Sequence, residues 1–170
     1  MPSAIDVDGL RLTPPAAWQV FTKYDEWAFY RRHFQSFAGG KKAVDAMGVS
    51  DGGTLWLIEV KDYRRNRRSK PSRIEHEIAG KVADSLSGLA VARVRATGSE
   101  QQMAESGLRC SAIRVVLQLA QPVNPSRLFP QVVDPADVSI KLKRAVRAVD
   151  PHPMAVVGDI SSARLPWKTS

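Results

Sequence analysis

Two carboxylates and a lysine stand out as residues that could do chemistry. Glu59 and Lys61 lie two apart in "LWLIEVK", at the end of an apolar run, and Asp45 lies fourteen residues before Glu59 in "AVDAM". If the apolar run is a β-strand, Glu59 and Lys61 project from one face while Ile58 and Val60 project from the other. The pattern therefore predicts a carboxylate and an ammonium held side by side in the protein interior.

Such buried charges are costly unless they pair with each other or bind a metal. Two carboxylates and a backbone carbonyl form an oxygen-rich site that suits Mg²⁺, because this ion takes few protein ligands and keeps several waters. Beside a phosphodiester, the ion neutralises charge that builds on phosphorus and lowers the pKa of a bound water, and a neighbouring lysine orients that water. These residue types therefore suit metal-assisted phosphodiester hydrolysis.

The elements predicted around these residues would position them on one sheet. Two apolar runs flank the turn signal "SDGG" at residues 50–53 and predict an antiparallel hairpin of residues 43–49 and 54–61. The second run is apolar on both faces, as in a central strand that is covered on both sides. Pairing across the turn would bring Asp45 beside Glu59, in a register that counting from the turn fixes to within about two residues.

The rest of the chain predicts an α/β fold, with a mixed central β-sheet flanked by helices. Helices are expected at residues 25–35, 73–95 and 134–149. Further strands are expected near Asp8-Gly9 and at residues 108–120 and 153–160. Trp167 in the tail is expected to be exposed. Since 170 residues suffice for one domain and are too few for two ordinary ones, residues 1–170 are predicted to form a single domain.

Charge points to a polyanionic partner. The chain has a net charge of +8 and a sequence pI near 10.0, and seven basic residues against one acidic residue lie between positions 61 and 73. In a nucleic-acid complex, each phosphate contact with such a loop releases counterions, and binding weakens steeply with salt. A solvated loop is the alternative. The residues predicted to bind nucleic acid are Tyr63, as a stacking side chain, and Arg64, Arg65, Arg67, Arg68, Lys70 and Arg73.

Cysteine content and hydropathy bear on location. The single cysteine, Cys110, rules out an internal disulfide framework and a thiolate-rich zinc site. The first residues lack the basic start and apolar core of a secretory signal, and no window approaches the length of an apolar membrane span. A cytoplasmic protein with no membrane association is therefore expected.

The stretch "VDAMGVSDGGTLWLIEVK" resembles the signature of the PD-(D/E)xK nuclease superfamily, which has the restriction-endonuclease-like fold. That signature is an Asp on one strand, a turn, and an apolar strand that ends in Glu-x-Lys. The resemblance covers residues 43–63 in motif and about residues 25–119 in the order of elements. The family fold usually has two strands before the Glu-x-Lys strand, and residues 18–24 are the candidate for the additional one.

This resemblance implies a metal-dependent deoxyribonuclease that hydrolyses phosphodiester bonds with a Mg²⁺-activated water, with Mn²⁺ as an alternative ion. It implies Asp45 and Glu59 as metal ligands, the Val60 carbonyl as a further ligand and Lys61 as the catalytic lysine. Many members add a carboxylate from the first helix, for which Glu26 is the candidate and a solvated helical charge the alternative.

Many members also use a polar residue on the helix that follows the Glu-x-Lys strand. Glu77 and Lys81, four residues apart, are better explained as a surface ion pair.

Three interpretations fit these residues. The first is the nuclease, with DNA as the expected partner. The second is a catalytically inactive nucleic-acid-binding or protein-interaction module of the same fold, and the third is a structural ion pair. The small size is compatible with a homodimer or with a partner protein.

Overall fold

The computed structural model describes residues 2–64, 73–122, 124–128, 131–158 and 164–170. Its strands are, in chain order, β1 (Ile5–Val7), β2 (Leu10–Thr13), β3 (Val20–Lys23), β4 (Ala46–Val49), β5 (Thr54–Asp62), β6 (Ala112–Ala120), β7 (Met154–Val157) and β8 (Lys168–Thr169). The α-helices in these ranges are α1 (Ile74–Arg95), α2 (Gly98–Leu108) and α3 (Pro135–Val146). Short 3₁₀ turns occupy Tyr24–Glu26 and Phe37–Gly39, and a π-helical turn occupies Tyr30–Phe34.

The central sheet has five strands in the order β3-β4-β5-β6-β7. The β3, β4 and β5 strands pair antiparallel, while β6 pairs parallel with both β5 and β7. Parallel neighbours need long crossovers; α1 and α2 connect β5 to β6, and α3 connects β6 to β7. The predicted α/β fold with a mixed sheet flanked by helices is therefore confirmed at this level.

The two faces of β5 enter two separate apolar clusters. Leu55 and Leu57 pack with residues of α1, α2 and α3, whereas Ile58 and Val60 pack with residues of the N-terminal hairpin. This explains why β5 is apolar on both faces, as the sequence predicted for a covered central strand.

The N-terminal hairpin belongs to a second, three-stranded sheet with the order β1-β2-β8. The hairpin predicted around Asp8-Gly9 is present, but the prediction of an exposed Trp167 is wrong. Its side chain is 1% exposed, and its ring lies edge-on to Trp18 and Trp56. Its indole N–H donates to the Gln118 side-chain oxygen at 3.1 Å. The β8 pairing carries this residue over the sheet, which local sequence does not reveal.

The region predicted as a first helix differs from the expectation. The candidate strand at residues 18–24 is confirmed as β3, but at residues 25–35 the 3₁₀ turn and the π-helical turn replace the predicted continuous α-helix. The carboxylate of Glu100 accepts the backbone N–H groups of Ala28 at 2.7 Å and Phe29 at 2.9 Å, so a residue of α2 satisfies donors at the start of this segment. The 3₁₀ turn that begins at Tyr24 also packs closely against α1, because a Cβ on Gly88 would lie 2.4 Å from the Tyr24 hydroxyl.

Helix α2 was not predicted from the sequence. Its segment "GSEQQMAESGL" has few apolar residues and buries only Ala104 and Gly107, so its hydrophobic periodicity is weak. None of the helices in the described ranges is long and apolar enough to cross a membrane.

Candidate active site

Asp45 stands opposite Glu59 at the end of the β4-β5 pair. Ala46 pairs with Ile58 in the antiparallel ladder, so the next step of the same register places Asp45 across from Glu59. The backbone N–H of Val60 donates to the Asp45 carboxylate at 2.8 Å. Counting from the turn left the register uncertain. The observed register places the two carboxylates on the same face of the sheet.

Hydrogen bonds from both neighbouring layers fix the backbone around Asp45. Its carbonyl accepts the N–H of Tyr24 at 3.0 Å, which joins it to the segment that follows β3. On the helix side, the Ser85 hydroxyl accepts the N–H of Val44 at 3.0 Å and the Asp84 carboxylate accepts the N–H of Lys42 at 3.0 Å. The entry to β4 is therefore anchored to α1, and Asp45 is held in place without being in a regular strand.

Lys61 lies beside Glu59, as their spacing on one strand predicted. The Lys61 ammonium forms an ion pair with one Glu59 carboxylate oxygen, Oε1, and lies 3.6 Å from Glu77. The Glu59 side chain is fully buried, yet its second oxygen, Oε2, accepts no hydrogen bond from the described residues. Because buried polar atoms are almost always satisfied, this oxygen has unused capacity for a ligand.

Lys81 of α1 is a member of this cluster that the sequence interpretation missed. Its ammonium lies 2.6 Å from Glu59 Oε1 and 3.6 Å from Asp45. The prediction of a surface Glu77–Lys81 pair is therefore wrong, because both side chains turn toward the sheet. A signal was available, since positions 77 and 81 follow Ile74 at helical spacing on the side of its apolar stripe.

Burial and neighbouring charges shift the protonation equilibria of Glu59 and Lys61. Burial raises the pKa of Glu59, and the charge of Asp45 raises it further, against the opposing effect of the two lysines. Burial alone would lower the pKa of Lys61, but its contact with Glu59 and the charges of Asp45 and Glu77 outweigh burial and raise it. Lys61 thus stays protonated beside Glu59.

A pocket of about 410 Å³ opens beside Asp45. Its charged lining consists of the carboxylates Asp25 and Asp45 and the cations Arg31, Lys41, Lys42 and Lys81. One Asp25 oxygen is buried and accepts no hydrogen bond from the described residues. Burial raises the pKa of Asp25, and the charge of Asp45 adds to the rise. The pocket therefore combines two carboxylates with four cations, and the cations suit a phosphate group.

Glu26, predicted as the acid of the first helix, lies outside this pocket. Its half-exposed side chain pairs with Lys23 at 2.7 Å and lies 3.9 Å from Arg31. The neighbouring Asp25 points to the pocket instead, because the 3₁₀ turn changes which face each residue occupies. Asp25 would have been identified from the sequence if the carboxylate adjacent to Glu26 had also been considered.

The structure describes three of the residues predicted to bind nucleic acid. Tyr63 is partly buried against the core, and its N–H donates to Ala120 at 2.7 Å. The Arg64 guanidinium folds back onto Asp62 at 2.8 Å, and Arg73 is exposed at the N-cap of α1. The predictions for Arg65, Arg67, Arg68 and Lys70 lie outside the described residues.

The donor set fits a hard divalent cation with few protein ligands. Asp45 and Glu59 supply carboxylates, and the Val60 carbonyl faces the same side as its N–H, toward β4, because the two groups of one residue point to the same neighbouring strand. No group of three or more acidic, histidine or cysteine side chains suited to a metal occurs in the described ranges. Mg²⁺ does not need such a group, since it keeps several waters.

No known protein-family profile matches the chain, and no solved structure matches it. Among curated proteins, the chain is similar to a cysteine–tRNA ligase of Neisseria meningitidis serogroup A / serotype 4A (strain DSM 15465 / Z2491), with 33% identity over 147 residues. The similarity covers 69% of this chain and 21% of that ligase. The chain thus spans about a fifth of the length of the curated relative it matches.

Proposed function

We propose that this chain is a Mg²⁺-dependent nuclease of the PD-(D/E)xK superfamily, with the restriction-endonuclease-like fold and DNA as its substrate. The observation that carries the proposal is the position of Asp45 opposite Glu59. Lys61 lies on the same face, and one buried Glu59 oxygen accepts no hydrogen bond within the described part of the chain. Mg²⁺ is the proposed cofactor, and Mn²⁺ is expected to substitute for it.

The strand order supports the family assignment. The family fold usually has two strands before the Glu-x-Lys strand, and β3 supplies the one that was in doubt from sequence. The Glu-x-Lys strand is central and apolar on both faces, and its functional end meets the first turns of α1.

Each residue of the site has a distinct role in this proposal. Asp45, Glu59 and the Val60 carbonyl would hold Mg²⁺, which when bound supplies charge neutralisation at the phosphate and an activated water. Lys61, held protonated by Glu59, orients the attacking water or offsets charge on the phosphodiester. Lys81 neutralises Glu59 and Asp45 when the metal is absent, which limits the cost of burying them.

The direct test is cleavage of plasmid and oligonucleotide DNA with Mg²⁺ or Mn²⁺. The wild-type chain should cut only with metal, and Glu59→Gln and Lys61→Met should each lose at least a hundredfold in rate. Arg109→Gln, at an exposed i,i+4 pair on α2, is the matched control and should cut as the wild type does. Metal-dependent cutting that persists in both site variants would rule the proposal out.

A catalytically inactive nucleic-acid-binding module is the second candidate. It is favoured by the two lysines that already engage Glu59 and by the similarity to part of a cysteine–tRNA ligase, which suggests tRNA as the alternative ligand. This candidate predicts salt-sensitive binding of tRNA or DNA, no heat of Mn²⁺ binding and no cleavage. If the chain is instead a protein-interaction module, acting with a partner protein or as a homodimer, it should not be retained on immobilised tRNA or DNA.

A further inference from the structure

A basic groove of about 300 Å³ lies between the first turns of α1 and the outer face of α3. The residues that line it are Arg73, Glu75, His76, Lys141, Arg144 and Ala145. Glu75 is buried, while Arg73, His76, Lys141 and Arg144 are exposed. The solvent side of the groove is therefore basic.

Within the described residues, one of the two α3 cations that line this groove has an acidic partner and the other has none. Lys141 pairs with Asp137 at 2.6 Å. No carboxylate of the described residues lies within 4.0 Å of a side-chain nitrogen of Arg73 or Arg144. Adjacent uncompensated cations repel one another, and a bound anion relieves that repulsion. The groove thus has the electrostatic character of an anion site.

The positive charge continues along the exposed face of α3. Lys143 and Arg147 are also exposed on this helix, which buries Val138, Leu142 and Val146. From Lys141 to Arg147 the helix rises about 9 Å. That length matches between two and three phosphate spacings of one DNA strand, whose phosphates follow one another every ~3.4 Å along the duplex axis. A surface of this length suits a polymer of phosphates better than a single small anion.

The groove adjoins the candidate active site through α1. His76 lies in the groove, and the next residue, Glu77, lies 3.6 Å from the Lys61 ammonium, which pairs with Glu59. The first turn of α1 thus contributes one residue to the groove and the next to the cluster of charges.

We propose that the basic face formed by Arg73, His76 and α3 binds the phosphate backbone of the nucleic-acid substrate. This inference rests on the proposed function for the identity of the substrate. It adds a binding surface that lies outside the arginine-rich loop predicted from sequence.

The test is binding of a fluorescent 30-base-pair DNA duplex in EDTA, measured by anisotropy over a range of salt concentrations. The variant carries Lys143→Gln, Arg144→Gln and Arg147→Gln, which keep helix propensity because glutamine is a good helix former. Its dissociation constant should rise at least tenfold at low salt. The slope of log affinity against log salt should become shallower by about 2 to 3, since each lost phosphate contact contributes about 0.9.

The matched control carries Arg93→Gln, Arg95→Gln and Arg109→Gln. It also removes three exposed positive charges, and Arg93 lies seventeen residues beyond His76 on α1, or ~25 Å along the helix axis. The control should keep the wild-type slope to within one contact. Circular dichroism and urea unfolding of both variants ensure that a loss of binding is not a loss of folding.

Equal effects in the two triple variants, or no effect of the α3 variant, would overturn the inference while leaving the nuclease proposal intact. Inorganic phosphate that binds wild type as tightly as the duplex does would overturn it in favour of a small-anion site. A wild-type chain that binds no nucleic acid would overturn both proposals. Separately, Asp45→Asn and Glu59→Gln should abolish cutting yet retain duplex binding, which distinguishes failure of the site from failure of the surface.

Discussion

Two aspartates accept a backbone N–H at the same distance, yet their surroundings differ. Asp45 accepts from Val60 at one end of the central sheet, and Asp150 accepts from Val115 near the start of β6, both at 2.8 Å. Asp150 also accepts the N–H of His152 at 2.8 Å and lies 3.4 Å from the Arg114 guanidinium. Its side chain is 1% exposed.

Asp45 has a looser set of partners. Among the described residues, the ion pair of its other oxygen is with Lys81, at 3.6 Å. Asp45 also lines an open pocket, and its charge adds to the rise that burial causes in the pKa values of Glu59 and Asp25. The contrast separates two uses of a buried polar residue. A carboxylate whose partners come from the protein stabilises the fold, whereas one with remaining capacity beside other carboxylates is suited to a ligand.

Asp45→Asn should give the largest effect, and it should appear in activity. Asparagine keeps an oxygen for the Val60 N–H but loses the charge that a metal ligand needs, so the Mg²⁺-dependent cleavage rate should fall at least a thousandfold, or about 4 kcal/mol in activation free energy. The unfolding free energy should change by less than about 1 kcal/mol. Single-turnover cleavage and urea unfolding measure the two quantities, and a stability loss without an activity loss would reverse the comparison.

Asp150→Ala should act on stability alone. It leaves the buried Val115 N–H without an acceptor and Arg114 without its counter-ion, so the unfolding free energy should fall by about 3 kcal/mol. Asp137→Ala, which removes an exposed i,i+4 pair with Lys141, is the control and should cost about 0.5 kcal/mol or less. Similar losses in the two variants would show that the Asp150 network is no more than a surface contact.

Lys81→Met should strengthen metal binding, whereas the loss of a residue that holds the metal would weaken it. The ammonium competes with a cation for Glu59 and Asp45, so its removal should lower the Mn²⁺ dissociation constant by about fivefold, or about 1 kcal/mol. Lys41→Met, at the rim of the same pocket and paired with Asp84 at 3.3 Å, controls for general charge. Weaker Mn²⁺ binding in Lys81→Met, measured calorimetrically, is incompatible with competition.

Asp25→Asn should give the smallest effect, and it should depend on pH. Burial raises the folded-state pKa of Asp25 above its ordinary value, so folding favours the protonated form. The protonated Asp25 contributes to the free energy of unfolding at low pH, and this contribution is lost as pH rises through the folded-state pKa. In EDTA the variant should therefore melt slightly higher than wild type at pH 7, by under about 2 °C after solvent screening, and the difference should shrink toward pH 4. A difference that grows toward low pH contradicts the assigned sign.

The sequence predicted the structure correctly where the periodicity of one local segment determined it. An apolar run after an Asp-Gly turn predicted the β4-β5 hairpin and the shared face of Glu59 and Lys61, because strand periodicity fixes both. The membership of Lys81 and Asp25 depends on how α1 and a short 3₁₀ turn rotate against the sheet, which local periodicity does not report. Trp167 likewise became buried through the pairing of β8 with β2, a contact between the two ends of the chain.

The most direct test of the central claim, that Asp45 and Glu59 together hold a divalent metal, is a calorimetric titration of Mn²⁺ into the wild-type chain and into Glu59→Gln. The account predicts one ion per chain for wild type and at least a tenfold weaker interaction for the variant, with both chains folded. No binding by wild type, or equal binding by the two chains, would contradict it.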